Sequence, residues 1–233
     1  MKKRIPLLIF CSFLLALSVT TFVPSSYAQT LSVPVLKPGW YRVYIENVGS
    51  IDLPPTMEVQ AGEYKEFVDN GLVSLGLHVE QLVAQQKGLN EIRRPTGKYA
   101  RVMVGTEIGS YGDYGTLNFD IHEYTQSDIA ELDIIIKQQN QQELANIQQP
   151  GLGQMKIIKW YPIKLEIING MSCLHISYTR QLNDNLLVLV HMYGFQNNDR
   201  MHRLTMSYRL SEADYWQADF TDILNSFRIT NIR

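Results

Sequence analysis

Cysteine is almost absent from this sequence. Its 233 residues hold two, Cys11 and Cys173, and Cys11 sits inside an N-terminal apolar run, residues 7–17 (LLIFCSFLLAL). If that run is removed on export, one thiol remains and no intramolecular disulfide can form. The fold must then rest on a hydrophobic core, and a mature chain of about 205 residues is long enough to bury one. Runs of one charge are also missing: 21 basic residues face 23 acidic ones, with no basic tail. Phosphate binding needs clustered Lys and Arg, so nucleic acid is not an expected partner. Arg93-Arg94 is an isolated pair in a loop-like stretch and reads as a solvated face.

Signatures of catalysis and metal binding are scarce as well. No Gly-x-Ser-x-Gly elbow occurs, and no Cys-x-x-Cys or His-x-x-x-His spacing. The Gly/Tyr stretch 108–115 (IGSYGDYG) has no following Gly-Lys-Ser/Thr and does not cradle phosphate. Asp113, Asp120 and Glu123 read as solvated acids, not as an acid/base pair. No catalytic residue, metal ligand or cofactor site is therefore assigned.

What is present begins with the N-terminus. Lys2, Lys3 and Arg4 precede the apolar run, and Pro24 and a Ser-x-Ala site ending at Ala28 follow it. That order is a secretory signal peptide. The run is shorter than the roughly 20 residues of a membrane span. We expect cleavage after Ala28, no stable membrane anchor, no lipid anchor, and a periplasmic or cell-surface location. Losing three basic residues moves the net charge from −2 to about −5. The expected organisation is a signal peptide at 1–28, an extended leader at 29–39 and one domain at 40–233.

Strand patterns recur along that domain. Residues 40–48 (WYRVYIENV), Ile51 and Leu53, Met57 and Val59, 99–106 (YARVMVGT) and 117–124 (LNFDIHEY) each read as strand. Pro54-Pro55 must interrupt pairing. Residues 61–98 are the least legible, with 77–86 (LHVEQLVAQQ) open to strand or short helix. Thr125 and Asp128 resemble a capping box, and Ile129, Leu132, Ile135 and Ile136 recur at helical spacing up to Pro150-Gly151. An antiparallel meander follows. Residues 155–168 form a strand with Pro162 inside it, Asn169-Gly170 a type I′ hairpin turn, and 171–182 the next strand. Residues 186–195 (LLVLVHMYGF) are apolar on both alternations, as a strand covered on two faces requires. In 201–210, Leu204, Met206, Tyr208 and Leu210 share one face. The chain closes on an amphipathic helix with Ser211 as its expected N-cap. Ala213, Trp216, Phe220, Ile223, Leu224 and Phe227 make its apolar stripe.

This ending, RLTMSYRLSEADYWQADFTDILNSFRI, resembles the C-terminal region of the PsbP-like superfamily, which includes exported bacterial DcrB-like members. Trp216 and the segment 223–227 (ILNSF) carry the likeness, and the proline-containing hairpin VGSIDLPPTMEV is similar to the family's opening. The resemblance implies an α+β fold, an α-β-α sandwich with a central antiparallel sheet. It also implies a non-catalytic role through partner binding.

Two places can hold function. Tyr111 and Tyr114 form an aromatic loop tip, a possible contact for an unidentified envelope protein. Cys173 and His175 share one strand face, with His191 and His202 on the next two strands. They are the basis of the alternative, a small-molecule-binding protein or a thiol-dependent enzyme. Side chains two apart on a strand lie roughly 7 Å apart, and a buried cysteine is commonly inert, so the inert reading is preferred. N-terminal sequencing of protein recovered from the cell envelope is expected to start at Gln29. A start at Met1 would mean that the N-terminal run is retained.

Overall fold

The computed structural model of the chain describes residues 35–60, 80–89, 97–146 and 154–233. Residues 1–28, expected to be a signal peptide, and Arg93-Arg94, His78 and the expected Pro150-Gly151 helix stop lie outside the described residues. Ten strands are present among them: β1 Tyr41–Ile45, β2 Gly49–Leu53, β3 Met57–Val59, β4 Glu80–Gln86, β5 Ala100–Ile108, β6 Met155–Ile168, β7 Met171–Leu182, β8 Val188–Gln196, β9 Arg200–Arg209 and β10 Arg228–Ile229. The helices are α1, Gln126–Asn146, and α2, Ala213–Ser226. A seven-stranded antiparallel sheet runs β3-β4-β5-β9-β8-β7-β6, and a small sheet runs β1-β2-β10.

Side-chain alternation sorts the large sheet into two cores. On one face Cys173, Tyr193, Phe195, Leu204, Met206 and Tyr208 pack with Trp216, Phe220 and Ile223 of α2 and with Ile51, Leu53 and Ile229 of the small sheet. On the other, Leu174, Ile176, Tyr178, Val190 and Met192 pack against Leu132 and Ile136 of α1. The result is an α-β-α sandwich with a central antiparallel sheet, and β8 is the doubly covered strand that its apolar run anticipates.

Local chemistry fixes the elements. Asn169 (φ 54°) and Gly170 (φ 77°) make the hairpin turn between β6 and β7. Thr125 and Asp128 cap α1 reciprocally: Asp128 N donates to Thr125 Oγ1 at 3.2 Å, and Thr125 N to Asp128 Oδ2 at 2.9 Å. Pro162 does not end β6, because β6 is an edge strand and its pairing shifts between Tyr161 and Lys164. Asp133 of α1 accepts from Trp160 Nε1 at 2.8 Å and from Ile163 N at 2.9 Å, so the helix serves the irregular edge. Gly49 is required by close approach, since a Cβ there would meet the Arg228 carbonyl oxygen at 2.0 Å.

Two expectations need correction. Residues 117–124 are not a strand. Asp120 Oδ1 accepts from His122 N at 2.9 Å and caps a 3-10 turn, Ile121–Glu123. Leu117 O and Phe119 O are instead taken up by Ser172, through its N and its Oγ. Ser211 is not the cap of α2, because Leu210–Glu212 is a 3-10 turn and Glu212 holds the cap position. The Glu212 carboxylate ties the helix start to the sheet: Oε2 accepts from Tyr99 N (2.8 Å) and from Trp216 Nε1 (3.1 Å).

Trp216 is fully buried in the α2 core. Trp216→Ala is expected to lower unfolding free energy by about 3–5 kcal/mol, the range of large aromatic truncations. Denaturant titration reads it, and a near-wild-type midpoint would contradict this placement.

Candidate functional site

The β6–β7 hairpin places Glu166 opposite Cys173 and Lys164 opposite His175. The β7–β8 register places His175 opposite Tyr193, so His191 lies diagonally from His175 on the same face. A chain of contacts results. Glu166 Oε1 lies 3.3 Å from His175 Nδ1, close enough for charge pairing but outside hydrogen-bond geometry. His175 Nε2 and His191 Nδ1 are 3.0 Å apart, a hydrogen bond whose donor is set by the tautomers of the two rings. Tyr193 stacks on the His175 ring, with centroids 4.3 Å apart.

Electrostatics keeps this array from being a thiol centre. Contact with His175 holds the Glu166 carboxyl below the usual carboxylate range, with Lys164 and His191 adding to the effect. Burial, and then the charge of His175, push His191 down to about 4, so its imidazole is neutral at pH 7. Cys173 is fully buried, and burial together with the Glu166 charge pushes its thiol up to about 12. A thiolate is the nucleophilic form of cysteine, and this thiol does not form one at neutral pH. The array sets a carboxylate beside two imidazoles, with no activated sulfur among them.

Among the described residues, His175 and His191 are the histidines that come together. His202 is fully buried elsewhere, with Nδ1 2.9 Å from Thr106 Oγ1 and Nε2 3.1 Å from Asn197 Nδ2. Asn197 Nδ2 also donates to Asn231 O, and Asn197 Oδ1 accepts from Arg233 N, so this network fastens residues 231–233 to the β8–β9 turn. His122 is exposed in the 3-10 turn. Among the described residues no group of three His, Cys, Asp or Glu is arranged to hold a metal ion. Glu166 was missed by sequence reasoning. A two-residue turn at Asn169-Gly170 fixes Glu166 opposite Cys173, so the hairpin signal itself could have found it.

The aromatic loop is the second place. Gly109 N donates to Asp199 O (2.8 Å), Gly112 N to Asn198 Oδ1 (2.9 Å) and Tyr114 N to Asn198 O (2.9 Å), while Asn198 N returns to Gly115 O (2.9 Å). Within the loop, Ser110 N donates to Asp113 Oδ2 at 2.6 Å. The segment is thus zipped to the β8–β9 turn. Its two tyrosines separate: Tyr111 is 88% exposed, whereas Tyr114 is buried against Met201. Burial and then the neighbouring Glu107 carboxylate raise the Tyr114 hydroxyl.

The buried histidines have a consequence for pH. Burial pushes His202 down to about 4, with the Arg200 charge adding, against about 6.5 in an unfolded chain. Between these values the unfolded state binds more protons, so stability is full above about pH 6.5 and lost as pH falls toward 4. His202 contributes up to roughly 3 kcal/mol of that loss, and His191 acts in the same direction. Chemical denaturation at pH 7 and pH 4.5 is expected to show a smaller loss for His202→Gln than for wild type. Equal losses would exclude His202 as a source.

No protein-family model matches the chain, and no curated protein matches it. Among solved structures, the chain is similar to cyanobacterial PsbP from Synechocystis sp. PCC 6803, at 11% identity and a TM-score of 0.46, over 85% of this chain and 95% of that one. It is also similar to a protein of unknown function from Pseudomonas aeruginosa, at 10% identity and a TM-score of 0.33, over 81% and 95%. At these identities the likeness is one of fold, and it carries no residue's role across to this chain.

Proposed function

We propose that this chain is an exported, non-catalytic protein that binds a protein partner in the cell envelope, and that loop 109–115 presents the contact. The observation that carries the reading is Tyr111, a large aromatic side chain 88% exposed at the tip of a hydrogen-bonded loop. A tyrosine brings much contact area, and interface energy concentrates in such residues. The loop backbone is already ordered by Asn198 and Asp199, so binding spends little free energy on ordering it. Ile108, at the end of β5, is 62% exposed and widens the apolar tip. The basic and apolar N-terminal pattern supports export. Among the described residues, no helix is long and apolar enough to cross a membrane.

The test is a photo-crosslinking amino acid placed at position 111, with the exposed turn residue Asp184 as the control position. A discrete crosslinked species in the envelope is expected from 111 and not from 184. Tyr111→Ala is expected to abolish co-purification of that species with the melting temperature unchanged. Equal crosslinking from both positions, or capture that persists in Tyr111→Ala, would refute the role of the loop.

A further inference from the structure

The buried corner that joins the β8–β9 turn to residues 231–233 leaves its members no freedom of role. Asn197, itself buried, is at its centre. Its Nδ2 donates to the Asn231 carbonyl oxygen at 2.8 Å, and its Oδ1 accepts from Arg233 N at 2.8 Å. A backbone carbonyl only accepts and a backbone N–H only donates, so the Asn197 amide is held in one orientation.

That orientation dictates the state of His202. The same Asn197 Nδ2 lies 3.1 Å from His202 Nε2. An amide nitrogen donates and does not accept, so Nε2 is the acceptor here. The single proton of the neutral ring then sits on Nδ1, 2.9 Å from Thr106 Oγ1. A ring that takes a second proton gains an Nε2–H aimed at an NH2 group. Turning the Asn197 amide over would offer that N–H an oxygen. The turned amide would set its oxygen against the Asn231 carbonyl and its NH2 against the Arg233 N–H. A protonated His202 and a closed corner are therefore incompatible.

The surroundings confine the conflict to this corner. β5 faces the ring with Thr106 and β8 with Phe195, neither of them charged. The charges that act on the ring are Arg200, which opposes a second proton, and Asp199, which favours one and is itself paired with Arg200. Residues 231–233 bring one more cation, Arg233. Just upstream, Thr230 N donates to Val48 O at 2.9 Å and Ile229 pairs with Gly49, and neither contact involves Asn197. Beyond Thr230, Asn231 has two long bonds, from its N to Val48 O and from its Nδ2 to Asn47 O, each 3.3 Å. An opening that starts at Asn197 therefore stops at β10.

We propose that the His202–Asn197 corner is a proton-operated latch, which fastens residues 231–233 while His202 is neutral and releases them, with β10 still in place, when His202 takes a second proton. Burial drives the ring down to about 4 in the closed corner, against about 6.5 for a ring in water. The latch is thus closed at neutral pH and opens between these values as pH falls. The inference is independent of the role of loop 109–115.

The test is NMR on residues 29–233, the expected mature protein, titrated from about pH 7.5 to about pH 3.5. It follows the His202 ring and the heteronuclear NOE of the backbone amides of residues 229–233. Asn231, Ile232 and Arg233 are expected to lose order with the midpoint of the His202 ring, while Ile229 keeps its own. In His202→Gln the side-chain oxygen can still accept from Asn197 Nδ2 but takes no proton, so residues 231–233 are expected to stay ordered throughout. If that variant does not fold, the agreement of the two midpoints in the wild-type protein decides. Residues 231–233 that stay ordered after His202 has titrated, that loosen at a different midpoint, or that loosen equally in His202→Gln would overturn the proposal. So would a His202 ring that does not titrate in this range. Loss of Ile229 at the same midpoint would also overturn it, since the event would then be global unfolding.

Discussion

The central strands are buried on both faces, and the rest of the structure answers to that constraint. Alternate side chains of β7 and β8 point into different cores, so each residue must suit the cover on its own side. Polar residues that the alternation sends inward cannot reach water and must find partners. His202 takes Thr106 and Asn197, and His175 and His191 take each other. The histidine array is in this light a consequence of burial as much as a chemical centre. The same burial that brings the imidazoles together strips Cys173 of its reactivity.

The two covers are fastened differently. α2 is held by bulk, with Trp216, Phe220 and Ile223 inserted in the larger core, and by Glu212, which spans the helix, Tyr99 and Arg209. α1 buries a narrower stripe, Leu132 and Ile136. It compensates with polar fastening through Asp133, which accepts from Trp160 and Ile163 on the β6 edge.

Features that depend on a few neighbouring residues were legible in the sequence. The Thr125/Asp128 cap, the Asn169-Gly170 turn, the two-sided run of β8 and the stripe of α2 each state their geometry within one or two turns of chain. Residues 117–124 misled because Leu117, Phe119 and Ile121 alternate as a strand does. Strand formation needs a partner, and here Ser172 and Asp120 satisfy the backbone instead. Ser211 misled because one 3-10 turn moved the cap position to Glu212. The aromatic loop was visible as composition, but the separation of Tyr111 from Tyr114 depends on Asn198, far along the chain.

Residues 226–231 also close the small sheet from far along the chain. Ile229 pairs with Gly49, Ser226 Oγ accepts from Asp52 N, and Thr230 N donates to Val48 O. The small sheet and one side of the main core are thus closed by segments far apart in sequence. Closing so long a loop is entropically costly and must precede the contacts it makes possible. The folded state thus depends on contacts across the whole span from β1 to β10. A chain interrupted anywhere before β10 leaves the Val48 carbonyl and the Asp52 amide without the partners that complete the fold.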